Sequence, residues 1–259
     1  MRRCQGFTLI EMLVVIVSVS VIIAILVPAI SVAKSSVVNG QCLANLRDIA
    51  AASLVYEIDH GRLPIHVAER STAPIFAPTI KAPGFDAREV YAPYMNVDRM
   101  GCPFLPGLNV SQTDAAAIHI NYCLNAGYYG DYENGRWLPN RLWVHSDTPW
   151  AFDGHPMTVL AVDRSYLDTV SQLPKTRNII NHAGGADGFE LLEMNNPQNR
   201  GEAWICDTDG QDVRAEHPLN AVFIDGSADT FRGDDPALIR IPDRHSVRQG
   251  RTNYLMPTR

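Results

Sequence analysis

Two regions of the chain hold residues whose types and spacing could do chemistry. At the amino end, Gly6 and Phe7 meet where the hexapeptide MRRCQG gives way to an apolar run. Glycine carries no Cβ, so a protease can approach the Gly6–Phe7 peptide closely. Cleavage there leaves a positive α-amine on Phe7, and the carboxylate of Glu11 follows four residues on, one helical turn away on the same face. Beyond it, no residue from Met12 to Ala33 is charged. A run of about eighteen suffices to cross a bilayer as a helix. An unpaired acid at the edge of such a segment costs a few kcal/mol to bury, which marks Glu11 as functional.

The second region lies toward the carboxyl end. DTDGQD sets Asp207, Asp209 and Asp212 on a tight loop opened by Gly210, and clustered carboxylates suit calcium, a hard cation. The spacing is not that of an EF-hand, and the alternative is a solvated acidic turn. His217 and Asp225 form an acid and histidine pair with no recognisable nucleophile. Asp225-Gly226, between Ala221–Ile224 and Ser227–Phe231, reads instead as a two-residue hairpin turn in which both central residues need positive φ. His182 in NHAGGADG lacks the following helix and lysine of a phosphate site, so residues 181–188 read as a flexible surface loop. No catalytic residue is assigned, no enzymatic activity is expected, and calcium is the one cofactor in view.

The elements that must position these residues begin with a stem. A secretory signal peptide fits it poorly, because the apolar run is too long for an h-region and no small-residue cleavage site follows it. Arg2 and Arg3 before the run, with no basic residue until Lys34, orient the amino end to the cytoplasm and the bulk outside. Val38, Cys42, Leu46, Ile49, Leu54 and Ile58 continue one apolar helical face. Asn39 and Gly40 loosen it locally, and Gly61 and Pro64 stop it. A continuous helix from Phe7 to Asp59 spans about 80 Å.

GFTLIEMLVVI, Gly6 to Ile16, resembles the processing and helix-start motif of type IV prepilins and type II secretion pseudopilins. The resemblance implies that a prepilin peptidase cuts after Gly6 and N-methylates Phe7. It implies that Glu11 pairs with the amine of a neighbouring subunit in a filament, and that Pro28 is the helix-kinking proline. CLANLRDIAAASLVYEIDHGRLP, Cys42 to Pro64, together with GCP at Gly101 to Pro103 and NYCLNAGYYG at Asn121 to Gly130, is similar to a series found in many bacterial prepilin-like proteins. HPLNAVFIDGSADTFRGD resembles the carboxy-terminal His and Asp-Gly element of one large prepilin-like group, with His217 and Asp225 in the matching places. Seven residues separate them here against nine in that group. Some pseudopilins bind calcium in a late loop, which the resemblance extends to Asp207, Asp209 and Asp212.

Composition bounds the remainder. The chain has 259 residues, 46% apolar and 19% charged, enough for the stem and one sizeable domain. Loss of Arg2 and Arg3 takes the formal charge from −6 to −8, which argues against nucleic acid as a partner. Cys4 leaves with the leader. Cys42, Cys102, Cys123 and Cys206 remain, an even number in a compartment where disulfides persist. Three pairings are open, and Cys42 with Cys102 is favoured as the one that ties the stem to the globular part. A zinc site lacks any Cys-x-x-Cys pair.

Residues 63–110 carry seven prolines, which point to an extended wrap with a short helix near Ala87–Met95. Strand signals follow at Ile118–Leu124, Arg141–His145, Thr158–Asp163, Glu202–Cys206 and Leu219–Ile224. Residues 125–156 and 171–200 read as surface insertions. The expectation is α+β: a pilin-like long amino-terminal helix packed on an antiparallel sheet with long decorated loops. The parts are a leader at 1–6, a transmembrane helix at 7–30, a periplasmic half of the helix at 31–60 and a globular domain at 61–259. The expected role is a structural subunit of a type II secretion pseudopilus or type IV pilus-like filament, anchored by a single pass in a bacterial inner membrane. Its expected partners are prepilin peptidase, other pilin or pseudopilin subunits and the inner-membrane assembly platform. The alternative is a membrane-tethered exported binding or hydrolytic module delivered by the pilin route.

Overall fold

The computed structural model describes residues 8–64, 77–82, 85–101, 103, 117–125, 132–133, 136–137, 143, 145–152, 154–163, 165–168, 176–180, 189–193, 199–200, 202–208, 219–232, 235–242 and 252–258. The chain divides into two compact units, Met1–Gly40 and Gln41–Arg259. Helix α1, Leu9–His60, contributes to both. The division falls at the Asn39-Gly40 pair, so Gln41–His60 belongs with the globular part.

In the first unit, Leu9–Ile30 is long and apolar enough to cross a membrane, and none of its residues is buried. Its two hydroxyls do not waste hydrogen bonds in an apolar setting. Ser18 Oγ donates to the Val15 carbonyl at 2.9 Å and Ser20 Oγ to the Ile16 carbonyl at 2.7 Å, so each polar group is satisfied within the helix.

In the second unit, α1 turns Cys42, Leu46, Ile49, Ala50 and Ser53 inward. Ile58, expected on the same stripe, is 81% exposed. It lies nine residues past Ile49, about two and a half turns, and so falls on the opposite face. Gly61 ends the helix with φ 70° and donates its N–H to the Glu57 carbonyl at 2.7 Å, a left-handed cap that glycine adopts without strain. His60 Nδ1 donates to the Tyr56 carbonyl at 3.1 Å, and the two rings stack at 4.0 Å.

The sheet strands follow in chain order. β1 (Ala77–Ala82) and β2 (Phe85–Asp86) precede helix α2 (Ala87–Tyr91), a 3-10 turn (Val97–Met100) and β3 (Ala117–Leu124). β4 (Tyr132–Glu133), β5 (Arg136–Trp137), β6 (Trp150–Phe152) and β7 (His155–Met157) come next. Then come β8 (Val159–Asp163), β9 (Ser165–Asp168), β10 (Thr176–Ile180), β11 (Phe189–Glu193), β12 (Asn199–Arg200) and β13 (Glu202–Thr208). β14 (Leu219–Phe223), β15 (Ala228–Phe231), β16 (Leu238–Pro242) and β17 (Thr252–Pro257) follow.

The sheet nearest α1 has the order β15-β14-β8-β3-β1-β2 and is antiparallel along that path, with β12 added parallel to the start of β3. Asn45 Nδ2, on α1, donates to Tyr122 Oη at 3.3 Å, so Tyr122 points at the helix. Tyr122 pairs with Asp163 and Leu124 with Ala161, and paired residues share a face. The helix therefore covers that side. On the other side, Asn125 Nδ2 lies 3.7 Å from Met256 Sδ of β17. Covered on both faces, β8 and β14 are buried at every position, as their nearly unbroken apolar runs require. Their polar members find donors: Asp163 Oδ2 accepts the Asn220 N–H at 2.8 Å, and Thr230 Oγ1 donates to Asn220 Oδ1 at 2.6 Å.

The α+β expectation holds, but the loops contain more structure than the sequence suggests. A six-stranded antiparallel sheet has the order β11-β13-β10-β9-β17-β16, and a four-stranded mixed sheet, in which β4 and β6 are parallel, has the order β5-β4-β6-β7. The stretches 125–156 and 171–200, expected to be surface insertions, thus supply strands. Arg141–His145 was expected as a strand; among its described residues, Trp143 and His145 lie in none. Trp143 Nε1 donates to the His145 carbonyl at 2.7 Å and Ser146 N–H to Glu57 Oε1 at 2.8 Å, which clasps a loop to α1. The short helix stops at Tyr91 rather than Met95: Ala92 keeps helical geometry, but Pro93 has no N–H to donate to the Glu89 carbonyl, and the Tyr94 and Met95 N–H groups both turn to the Tyr91 carbonyl. β1 carries Pro78 at its first register shift, between Ala77 and Thr79, where a missing N–H is tolerated.

Candidate functional site

Of the residues assigned a role at the stem, Gly6 and Phe7 lie outside the described residues. Glu11 occupies the first turn of α1, and its carboxylate is turned back on Thr8. Glu11 Oε2 accepts the Thr8 N–H at 2.7 Å and the Thr8 hydroxyl at 2.7 Å. Thr8 Oγ1 accepts the Glu11 N–H at 3.4 Å, and the Thr8 carbonyl accepts from Met12 N at 3.3 Å. This is a capping box: Thr8 is the N-cap, and its side chain and that of the third helical residue satisfy each other's orphan N–H groups.

The arrangement gives a carboxylate at the edge of an apolar span two local donors, which lowers the cost of placing it there. It also leaves the acid near the helix amino end, where the dipole favours negative charge. The sequence reading assigned Glu11 but missed Thr8. The signal was available in the Thr-x-x-Glu spacing just before an apolar run. Pro28 sits inside α1; lacking an N–H, it cannot bond to the Ala24 carbonyl.

The other assigned residues are not brought together. Asp207 lies in β13 at the register position opposite Arg177, while Asp209 and Asp212 lie outside the described residues. No three His, Cys, Asp or Glu side chains converge on a metal-sized site among the described residues. His217 and Cys102 also lie outside them, whereas Cys42 is buried against the sheet. His182 and the 181–188 loop are outside as well.

Asp225 and Gly226 lie in the hairpin between β14 and β15. Gly226 has φ 78° and donates its N–H to the Phe223 carbonyl at 3.0 Å, and Phe223 N–H donates to the Ser227 carbonyl at 2.9 Å. The loop is therefore three residues, Ile224, Asp225 and Gly226, with the glycine in the left-handed position of a bulge rather than a two-residue turn. Asp225 Oδ1 accepts from Ser227 N at 2.9 Å and from Ser227 Oγ at 2.5 Å, so its side chain braces the turn.

Comparison with known proteins bears on the amino end. Residues 1–27 match the family model for the prokaryotic N-terminal methylation motif. The match covers residues 1–6, the capping box and most of the apolar span, and it marks the amino terminus as that of a prepilin-type precursor. With the apolar helix Leu9–Ile30, it fits membrane anchoring by a single pass. Neither the curated proteins nor the solved structures contain a match to the chain.

Proposed function

We propose that this prepilin-type precursor is a structural subunit of a type II secretion pseudopilus or type IV pilus-like filament. The observation that carries the reading is the methylation motif at residues 1–27 continuing into an apolar helix with no buried residue. A helix apolar all round must be covered by lipid or by other helices. Before assembly lipid covers it; in the filament the equivalent helices of other subunits do. Prepilin peptidase removes residues 1–6 and methylates Phe7, and the assembly platform of the inner membrane draws the subunit from the bilayer with its globular part outside the cytoplasm.

Glu11 has a part in both states. In the lone subunit its carboxylate is held by Thr8. In the filament it faces the positive amine of a neighbour's Phe7, so the exchange replaces neutral donors with a charged one. Mass spectrometry of the mature amino terminus, with crosslinking of the wild type and Glu11→Ala in membranes, tests the reading. A chain that begins at methylated Phe7 and loses its crosslinked ladder in the variant is expected. An intact Met1 start would sink the prepilin assignment, and an unchanged ladder would remove Glu11 from assembly.

A further inference from the structure

We propose that Asp229 closes the free edge of the sheet nearest α1 against pairing with the same edge of a second copy of this chain. Among the described strands, β15 is the end of that sheet, and its Asp229 and Thr230 are exposed. An edge strand presents outward N–H and C=O groups, a template for another strand. Which residues of β15 present them follows from the phase of its ladder with β14.

Phe223 donates its N–H to the Ser227 carbonyl at 2.9 Å, so these two form a hydrogen-bonded pair. Such pairs alternate along an antiparallel ladder, and the partners that follow are Val222–Ala228, Ala221–Asp229, Asn220–Thr230 and Leu219–Phe231. Ala221–Asp229 and Leu219–Phe231 are therefore hydrogen-bonded, and Ala228 and Thr230 turn their backbone groups outward. Asn220 agrees with this phase: its N–H points away from β15 and donates to Asp163 Oδ2 of β8 at 2.8 Å. The outward N–H of Thr230 is taken by the neighbouring side chain, Asp229 Oδ1, at 2.8 Å. The Thr230 hydroxyl is anchored across the ladder on Asn220 Oδ1, which holds the strand in place.

Asp229 also acts through its charge. Edge-to-edge pairing of two copies about a two-fold axis is antiparallel and uses the same surface on both. The register that engages every outward group sets Ala228 of each copy opposite Thr230 of the other. Asp229 then lies opposite its own counterpart in a non-hydrogen-bonded pair, where Cα atoms are about 4.5 Å apart. Like charges directly opposite each other oppose pairing. A carboxylate at this one position thus withdraws an amide from the edge and repels the strand that would seek it.

The test follows hydrogen exchange and sedimentation velocity of the full chain in detergent micelles over a range of concentrations. In the wild type the Ala228 amide should exchange freely and the Thr230 amide several-fold more slowly, both independently of concentration. In Asp229→Ala the Thr230 amide should exchange as fast as that of Ala228 when dilute, and both should slow as larger species form on concentration. Ala228→Pro removes an outward N–H at the first position of the strand, where proline is tolerated. Added to Asp229→Ala, it should return sedimentation to that of the wild type. A wild-type Ala228 amide that is protected shows the edge to be covered already and overturns the proposal. So does an Asp229→Ala protein that sediments as the wild type at every concentration, or one whose larger species survive Ala228→Pro.

Discussion

Thr8 shows how much one small side chain contributes at the start of an apolar helix. It is N-cap, donor to Glu11 and acceptor from the Glu11 amide at once. Thr8→Val keeps the shape and removes the hydroxyl, leaving the Glu11 carboxylate only the backbone N–H. Hydrogen exchange of the purified subunit in detergent micelles should then run several-fold faster at residues 9–12, while the rest of α1 is unchanged. Equal protection in both proteins would mean that the cap does not hold the first turn. Thr8 was legible in its spacing to Glu11. What the spacing left open is where the carboxylate points in the lone subunit.

At the scale of elements, α1 and the last hairpin illustrate different limits. Leu46 and Ile58 are both large aliphatic residues of one helix, yet one is fully buried and the other largely exposed. Leu46→Ala should cost about 2–5 kcal/mol, whereas Ile58→Ala should change stability by less than about 0.5 kcal/mol. Chemical denaturation of the two variants would check the contrast, and equal losses would contradict the assigned faces. The apolar pattern alone did not separate them, because spacings of three to five drift around a helix when they are summed. In the hairpin, Asp225-Gly226 announced a turn, and β14 and β15 pair across it. The loop length depended on the ladder, where a bulge adds a residue. Gly226→Val places a β-branched side chain at positive φ and should destabilise by about 1–2 kcal/mol or more, measurable in a thermal melt.

At the scale of the whole molecule, the globular unit is held by a core that reaches from α1 through the sheet to Met256 near the carboxyl end. Tyr91 reports on that core. It is fully buried and shares a hydrogen bond of 2.9 Å with Ser53 on α1. Burial pushes its phenol well above the ordinary range, against a smaller opposing effect of the Ser53 bond. Because the folded state holds the proton more tightly than the unfolded state, its stabilising effect is complete below the unfolded value of about 10. It is lost as pH rises above that value. Stability should therefore fall above about pH 10, and Tyr91→Phe should flatten part of that fall. An identical alkaline slope in the variant would show that Tyr91 stays buried in neither state or titrates normally in both.

The sequence by itself determined the stem. Arg2 and Arg3, Gly6, Phe7, Glu11 and a long uncharged run are local signals, each meaningful without knowing what lies far along the chain. The helix, the strands at Ala117–Leu124, Val159–Asp163, Glu202–Thr208 and Leu219–Phe223, and the α+β class were likewise visible in local periodicity. Only the tertiary structure decided that β8 and β14 are covered on both faces, because a buried strand and a half-buried one differ by what packs against them from residues as distant as Met256. It also decided that Arg99 and Gly101 lie along α1 beside Asp48 and Asn45. No spacing in the chain encodes that contact, since more than fifty residues of chain separate each pair and the packing of the core brings them together.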